Sequence, residues 1–258
     1  LLHEHTENNS NKTAYVNVIV DTIISTGRAD DFIIAICNVI QRLAIDQLHI
    51  LGDIFDRGSG AHIILDSLRQ YHSWDIQWGN HDILWMGAAC GNDACICNVI
   101  RNNLKYGNVE ILENAYGISL RHLMLFGMSK YGIEDGIQAA LAAIKVILFK
   151  LEGQLIKRHP EYGMDDRLLL EHIDLDEGFV TVNGENVKLK TNIFPTLNKE
   201  NPYELTAEEN EIMLKLHRSF VSGQRLNKHI KFLYDKGGMY NVYNRNLIYH
   251  GCVPVDEN

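Results

Sequence analysis

Two short blocks of this chain carry side chains suited to holding metal ions and phosphate oxygens. They are Gly52-Asp53-Ile54-Phe55-Asp56-Arg57-Gly58 and Gly79-Asn80-His81-Asp82. Hard divalent cations take oxygen and imidazole ligands. Asp53 is the candidate to bridge two such ions, which sit about 3.5–4 Å apart in two-metal sites. Asn80 offers a neutral carbonyl oxygen, which limits the charge placed on one ion. Water bound to a metal can lose a proton at a pH of about 7 and then attack phosphorus in line. His81 is suited to protonate the leaving alkoxide, because imidazole titrates near the working pH. Asp56 could hold the other ring nitrogen of His81 and fix its tautomer. Arg57 presents a planar fork that matches phosphate oxygens. Asp82 reads as a structural carboxylate with no step of its own. The bland alternative is a pair of ordinary turns, since Asp, Asn and Gly are common turn residues. The placement of both blocks at strand ends speaks against it.

Each block follows an apolar run that reads as a short buried strand, residues 48–51 and 76–78. Residues 63–71 between them predict a helix, giving a strand–helix–strand unit with a right-handed crossover. Ligands in α/β sheets gather at the carboxyl ends of strands, where Asp53 and Asn80 fall. Upstream, Val16, Ile19 and Ile23, then Phe32, Ile36, Val39, Ile40 and Leu43, predict two helices over 13–44 with a break near Gly27. Residues 1–12 are polar and read as a loose end. Residues 83–106 predict helix interrupted near Gly91, and the alanine-rich stretch 137–152 predicts another helix. Residues 180–189 predict a hairpin, with Asn183-Gly184 favouring a type I′ turn. Thr206 and Glu209 form a capping-box signature before Ile212, Met213, Leu216 and Phe220. Strand signals return at 239–242 and 247–249.

The 258 residues include 24 basic and 33 acidic side chains, a formal charge of 24 − 33 = −9, and 46% are hydrophobic. One large or two modest domains with a real core fit that length. The acidic balance argues against nucleic-acid or anionic-membrane binding. No run is long and apolar enough to span a bilayer, and no signal peptide is visible. Five cysteines without a regular framework point to reduced thiols and a cytoplasmic protein. Cys90, Cys95 and Cys97 lie close together, but their spacing is not C-x-x-C and no fourth ligand is obvious. They read as small buried thiols rather than as a zinc or iron–sulfur site. Gly58-Ser59-Gly60 lacks the context of a nucleotide loop and is expected to shape the turn after Arg57.

In order, G-D-x-x-D-R-G and G-N-H-D resemble the signature of the calcineurin-like metallophosphoesterases, which cleave phosphate esters at a two-metal centre. A third block, Asn246-Leu247-Ile248-Tyr249-His250-Gly251-Cys252, is an apolar strand ending in His-Gly. In those enzymes a histidine at this place ligates the second metal, so the resemblance makes His250 a ligand beside Asp53 and Asn80. Longer runs are similar to the bacterial class III fructose-1,6-bisphosphatases: residues 46–53, 71–82 and 248–258, Phe149-Lys150-Leu151-Glu152, and Ile156-Lys157-Arg158 with Met164, Arg167 and Leu168-Leu169-Leu170. The similarity runs through nearly the whole chain. It implies an α/β fold: a calcineurin-like metallophosphoesterase core, partial and truncated at both ends, with a largely helical insertion. The implied layout is an N-terminal helical segment over 1–45, the first part of the core over 46–106, a mostly helical insertion with a hairpin over 107–235, and a return to the core over 236–258. It also implies manganese (Mn2+), a small sugar bisphosphate as partner, and hydrolysis of the 1-phosphate of fructose 1,6-bisphosphate in gluconeogenesis. Lys157, Arg158 and Arg167 are then the candidates for gripping the second phosphate. An equally good reading makes them a solvated helix face balancing local carboxylates.

Two family motifs are missing: D-x-H upstream of the first block, and G-H-x-H after His-Gly. The only H-x-H is His3-Glu4-His5, at the wrong end and without the glycine. The chain opens on Leu1-Leu2 and stops within 253–258, so it reads as an internal fragment of a longer enzyme. The second metal keeps Asp53, Asn80 and His250, while the first keeps only the bridging Asp53. Weak metal binding and little or no phosphatase activity are expected of residues 1–258 alone. The rival functions are a metallophosphoesterase acting on phosphoproteins or nucleotides, and a non-catalytic relative used as a binding module.

Overall fold

A computed structural model describes residues 10–252; the polar 1–9 with His3-Glu4-His5, and the terminal run 253–258, lie outside the described residues. The chain divides into two compact units, Leu1–Leu48 and His49–Asn258.

In the first unit α1 (Ser10–Ser25) and α2 (Ala29–Ala44) are the two helices expected from the apolar spacing, but α1 begins three residues earlier, so residues 10–12, read as part of a loose end, are helical. The break falls at Gly27, whose φ of 70° ends α1. Asp30 and Asp31 open α2 and Arg42 closes it, each at the helix end whose partial charge it complements. Ile33, Ile36, Ile40 and Leu43 of α2 are exposed.

The second unit is mixed α/β. Its first part runs β1 (Leu48–Ile50), α3 (Ala61–Leu68), β2 (Trp74–Gln77), α4 (Asn80–Ala89) and α5 (Asp93–Lys105). There follow α6 (Arg121–Tyr131), α7 (Gly136–Arg158), β3 (Ile173–Asp174), β4 (Phe179–Val182) and β5 (Glu185–Lys188). The last part is α8 (Ala207–Ser222), α9 (Gln224–Lys236), β6 (Gly237–Gly238), β7 (Tyr240–Tyr243) and β8 (Asn246–Tyr249).

The site-bearing sheet has the order β1-β2-β6. β2 and β6 run parallel, with Ile76 opposite Gly237 and Gln77 opposite Gly238. β6 has no counterpart among the strands expected from the sequence, because two glycines carry no hydrophobic alternation. The strands expected at 239–242 and 247–249 are β7 and β8, which form an antiparallel sheet of their own. The expected hairpin is β4–β5, and Asn183 and Gly184 have φ of 52° and 82°, as a type I′ turn requires. A third strand, β3, joins it and was not legible, since two residues show no period.

The helical core centres on α7, which packs against α5 and α6. Its alanines favour helix, and the Asp135 side chain caps it by accepting the Gln138 N–H at 2.8 Å. Ile144, Ile147 and Leu148 are buried, each worth about 1.5–3 kcal/mol. The same helix buries Lys150, whose Nζ donates to Glu209 Oε2 at 2.8 Å and to the Thr196 carbonyl at 2.7 Å. Glu209 also closes the expected capping box, accepting the Thr206 N–H at 2.8 Å.

The cysteine reading needs correction. Cys97 is buried and Cys95 is half-buried, and burial pushes both thiols up. Cys90 is exposed, its Sγ 3.9 Å from the Tyr234 hydroxyl. It is the residue that closes α4, its backbone N–H bonding the Met86 and Ala88 carbonyls.

Candidate metal centre

The chain reverses at the end of β1 through two successive left-handed residues, Gly52 (φ 80°) and Asp53 (φ 54°). Asp is among the few side chains that tolerate this region. A Cβ on Gly52 would run into the Gly79 nitrogen and the Gln77 carbonyl, and one on Gly79 would run into the Asp53 carboxylate. The two turns therefore pack backbone to backbone, which is why each block sets a glycine ahead of its ligand-type residue.

Asp82 fastens the turns together. It is fully buried; its Oδ2 accepts the N–H groups of Asp53 at 2.7 Å and Gly79 at 3.0 Å, and its Oδ1 accepts that of Phe55 at 3.3 Å. Burial raises the Asp82 carboxyl above the ordinary range, the three N–H groups oppose the rise, and the Asp53 charge adds to it. Phe55, held between Asp53 and Asp56, stacks on Trp85 with ring centroids 4.6 Å apart.

This scaffold brings Asp53, Asp56 and His81 together, each offering a ligand atom within 4.8 Å of the others. Asp53 Oδ1 accepts the His81 N–H at 3.1 Å. His81 Nε2 lies 3.1 Å from Asp56 Oδ1, yet that buried oxygen has no aligned hydrogen bond. His250, just past β8, bonds the Leu51 carbonyl through Nδ1 and places Nε2 3.2 Å from Asp53 Oδ2. A carbonyl only accepts, so Nδ1 donates to Leu51, and Nε2 is the ring nitrogen that faces the Asp53 carboxylate. The Asp53 and Asp56 carboxylates, with an orphaned Asp56 oxygen, and the His81 imidazole fit a divalent cation.

The remaining candidates sit as follows. Asn80 opens α4 and is exposed. The Arg57 side chain is 68% exposed, with Nε 3.6 Å from Asp56 Oδ1 and its guanidinium 5.0 Å from the Tyr106 ring centroid. Lys157 and Arg158 line a different cavity of about 730 Å³, with Glu171, Lys199 and Tyr203. Lys157 is paired there with Glu171 and lies 4.7 Å from the Tyr203 ring centroid. Arg167 does not line it; its charge acts on Glu152, whose carboxyl burial raises. None of Asp53, Asp56, His81 and His250 lines that cavity.

Residues 1–258 match the family described as Firmicute fructose-1,6-bisphosphatase. The chain belongs to this family. Among curated relatives of this bisphosphatase family, fructose-1,6-bisphosphatase class 3 1 of Clostridium beijerinckii is 51% identical, over 100% of this chain and 42% of its own length. Fructose-1,6-bisphosphatase class 3 of Bacteroides thetaiotaomicron is 51% identical with the same coverage. That of Clostridium novyi is 50% identical, over 100% of this chain and 41% of its own. The chain thus spans about 42% of the length of the fructose-1,6-bisphosphatases it matches. No solved structure matches it.

One cluster of this bisphosphatase-family chain has no signal in its sequence. The Tyr116 hydroxyl lies 3.0 Å from His229 Nδ1, His229 Nε2 lies 3.0 Å from Asp66 Oδ1, and Arg225 donates to Asp66 Oδ2 at 2.6 Å. Asp66 and His229 are 163 residues apart, so no local pattern joins them.

Proposed function

We propose that this chain supplies part of a dinuclear centre, in a calcineurin-like metallophosphoesterase core, that hydrolyses the 1-phosphate of fructose 1,6-bisphosphate to fructose 6-phosphate and phosphate. The observation that carries the reading is the convergence of Asp53, Asp56 and His81, with His250 turned onto Asp53. Asp53, Asn80 and His250 would hold metal, with manganese the ion to test first. When bound, the ions supply Lewis acidity and a nucleophilic oxygen near neutral pH. His81 would give a proton to the leaving sugar oxygen. Asp56, whose Oδ1 lies 3.1 Å from His81 Nε2 without an aligned hydrogen bond, would orient that ring on aligning with it. Arg57 remains exposed enough to clamp phosphate oxygens with its fork. Lys157, Arg158 and Arg167 are the candidates for the second phosphate, and Lys157 would have to exchange Glu171 for it.

The test is phosphate release from fructose 1,6-bisphosphate, a phosphopeptide and a nucleoside monophosphate, with and without Mn2+. It is run on this chain and on a full-length relative, each also carrying Asp53→Asn or His81→Ala. Preference for the sugar bisphosphate, lost in both variants of the relative, supports the reading. Preference for either other substrate overturns it.

A further inference from the structure

We propose that His49, Asp75, Asn241 and Tyr243 form a latch that holds the β7–β8 hairpin so that His250 reaches the Asp53 carboxylate. This rests on reading that carboxylate as a metal ligand.

The hairpin is a sheet apart from β1-β2-β6. It turns through Asn244 and Arg245, both left-handed at φ 48° and 65°, and Tyr240, Val242, Leu247 and, less so, Tyr243 are exposed. A two-stranded hairpin is marginal by itself; its root is held where β6 pairs with β2 and its end by the His250–Leu51 bond, and side-chain contacts hold the stretch between. Asn241 and Tyr243 supply them. Successive strand residues face opposite ways, so these two share a face. Asn241 Nδ2 donates to Asp75 Oδ2 at 3.2 Å. The Tyr243 ring tilts onto His49 with centroids 4.6 Å apart. Beneath them the Asp75 carboxylate is already organised: His49 Nδ1 lies 2.8 Å from Oδ2, and Gln77 Nε2 donates to Oδ1 at 2.7 Å.

The geometry couples this cluster to the metal block at both ends. His49 stands in β1, the strand whose end turns into Asp53. Asn241 is opposite Ile248 in the hairpin, and Ile248 is followed two residues later by His250. One strand thus presents His49 to the latch and leads to Asp53; one hairpin presents Asn241 to the latch and leads to His250. At about 3.3 Å of rise per residue, two residues span about 7 Å, so a shift at Asn241 moves the imidazole off a 3.2 Å approach.

A double-mutant cycle separates a latch from a cluster that only stabilises the fold. Asn241→Ala, His250→Ala and the double variant are titrated with Mn2+ and followed by electron paramagnetic resonance of the free ion, with thermal melts alongside to show that each is folded. Tyr243→Leu replaces Asn241→Ala should the latter not fold. Loss of an outer-shell partner typically costs about 10-fold or more in metal affinity. Asn241→Ala is expected to weaken Mn2+ binding about 10-fold when His250 is present, and to have no effect once His250 is alanine. Unchanged affinity in Asn241→Ala, or equal losses in both backgrounds, would overturn the latch while leaving His250 as a ligand. Unchanged affinity in His250→Ala would overturn both the latch and the metal reading of His250.

Discussion

The buried carboxylate of Asp82 accepts the backbone N–H of Asp53 at 2.7 Å, across 29 residues of sequence. It takes the Gly79 and Phe55 N–H groups as well. Asp82→Ala would strand three donors, at about 1–3 kcal/mol for each that stays buried and dry. A loss of about 3–5 kcal/mol is expected in urea unfolding, together with loss of Mn2+ binding. A loss below about 1 kcal/mol would show that the turns hold without it.

Gly79→Ala adds one methyl group where the Asp53 carboxylate already sits. The turns would have to separate, displacing Asp53 from His81. Mn2+ affinity should fall about 10-fold or more, the loss typical when the surroundings that orient a ligand are disturbed. Calorimetric titration checks it, and wild-type affinity would contradict the backbone packing described above.

Metal should stabilise the folded chain by mass action. At a free Mn2+ concentration of 100 times Kd the gain is about 2.7 kcal/mol, read as a rise in Tm that a chelator reverses. Asp53→Asn should show no rise. A Tm indifferent to Mn2+ at millimolar levels would place the dissociation constant above that range.

Lys150 and Glu209 are both fully buried, 2.8 Å apart. Lys150→Met leaves a buried carboxylate without its cation, at a cost of about 3–5 kcal/mol. Lys150→Met with Glu209→Gln should recover most of that loss, because neither charge is then unpaired. Chemical denaturation of the three proteins decides it, and equal losses in the single and double variants would refute the pairing argument.

Acid should weaken the Asp66–His229 cluster in two steps. Burial holds the His229 imidazole below its ordinary range, although the Asp66 contact pulls the other way. The unfolded chain therefore binds the proton first, and stability is lost as pH falls below about 6.5. The Arg225 and His229 hydrogen bonds hold the Asp66 carboxyl at about 2. Its contribution is full above the unfolded carboxylate range and is lost as pH falls from about 4 to about 2. With 43% of that side chain exposed, solvent screening limits it to about 1 kcal/mol. Melts at pH 7.5, 5.5 and 3 should show His229→Gln losing less stability than the parent between the first two, and Asp66→Asn losing less between the last two. Parallel curves for all three proteins would count against both assignments.

The candidates for metal binding could be named from the sequence because residue type and spacing are written locally. Asp53, Asp56 and Arg57 lie within one turn, Asn80, His81 and Asp82 within another, and each turn follows an apolar strand. The α7 helix was legible from its alanines, and the β4–β5 turn from Asn183-Gly184, for the same reason: backbone preference acts over a few residues. What joins these pieces acts through space. The approach of His250 to Asp53 spans most of the second unit, and the Asp53–Asp82 bond crosses 29 residues. β6 is two glycines whose strand character comes only from pairing with β2. The sequence brought Lys157 forward for its charge, but the fold gave that charge Glu171 as a partner and a different cavity to line. Residue type and short spacing nominate the groups with metal-type donor atoms; folding decides which of them meet, because contacts between distant segments depend on how whole elements pack.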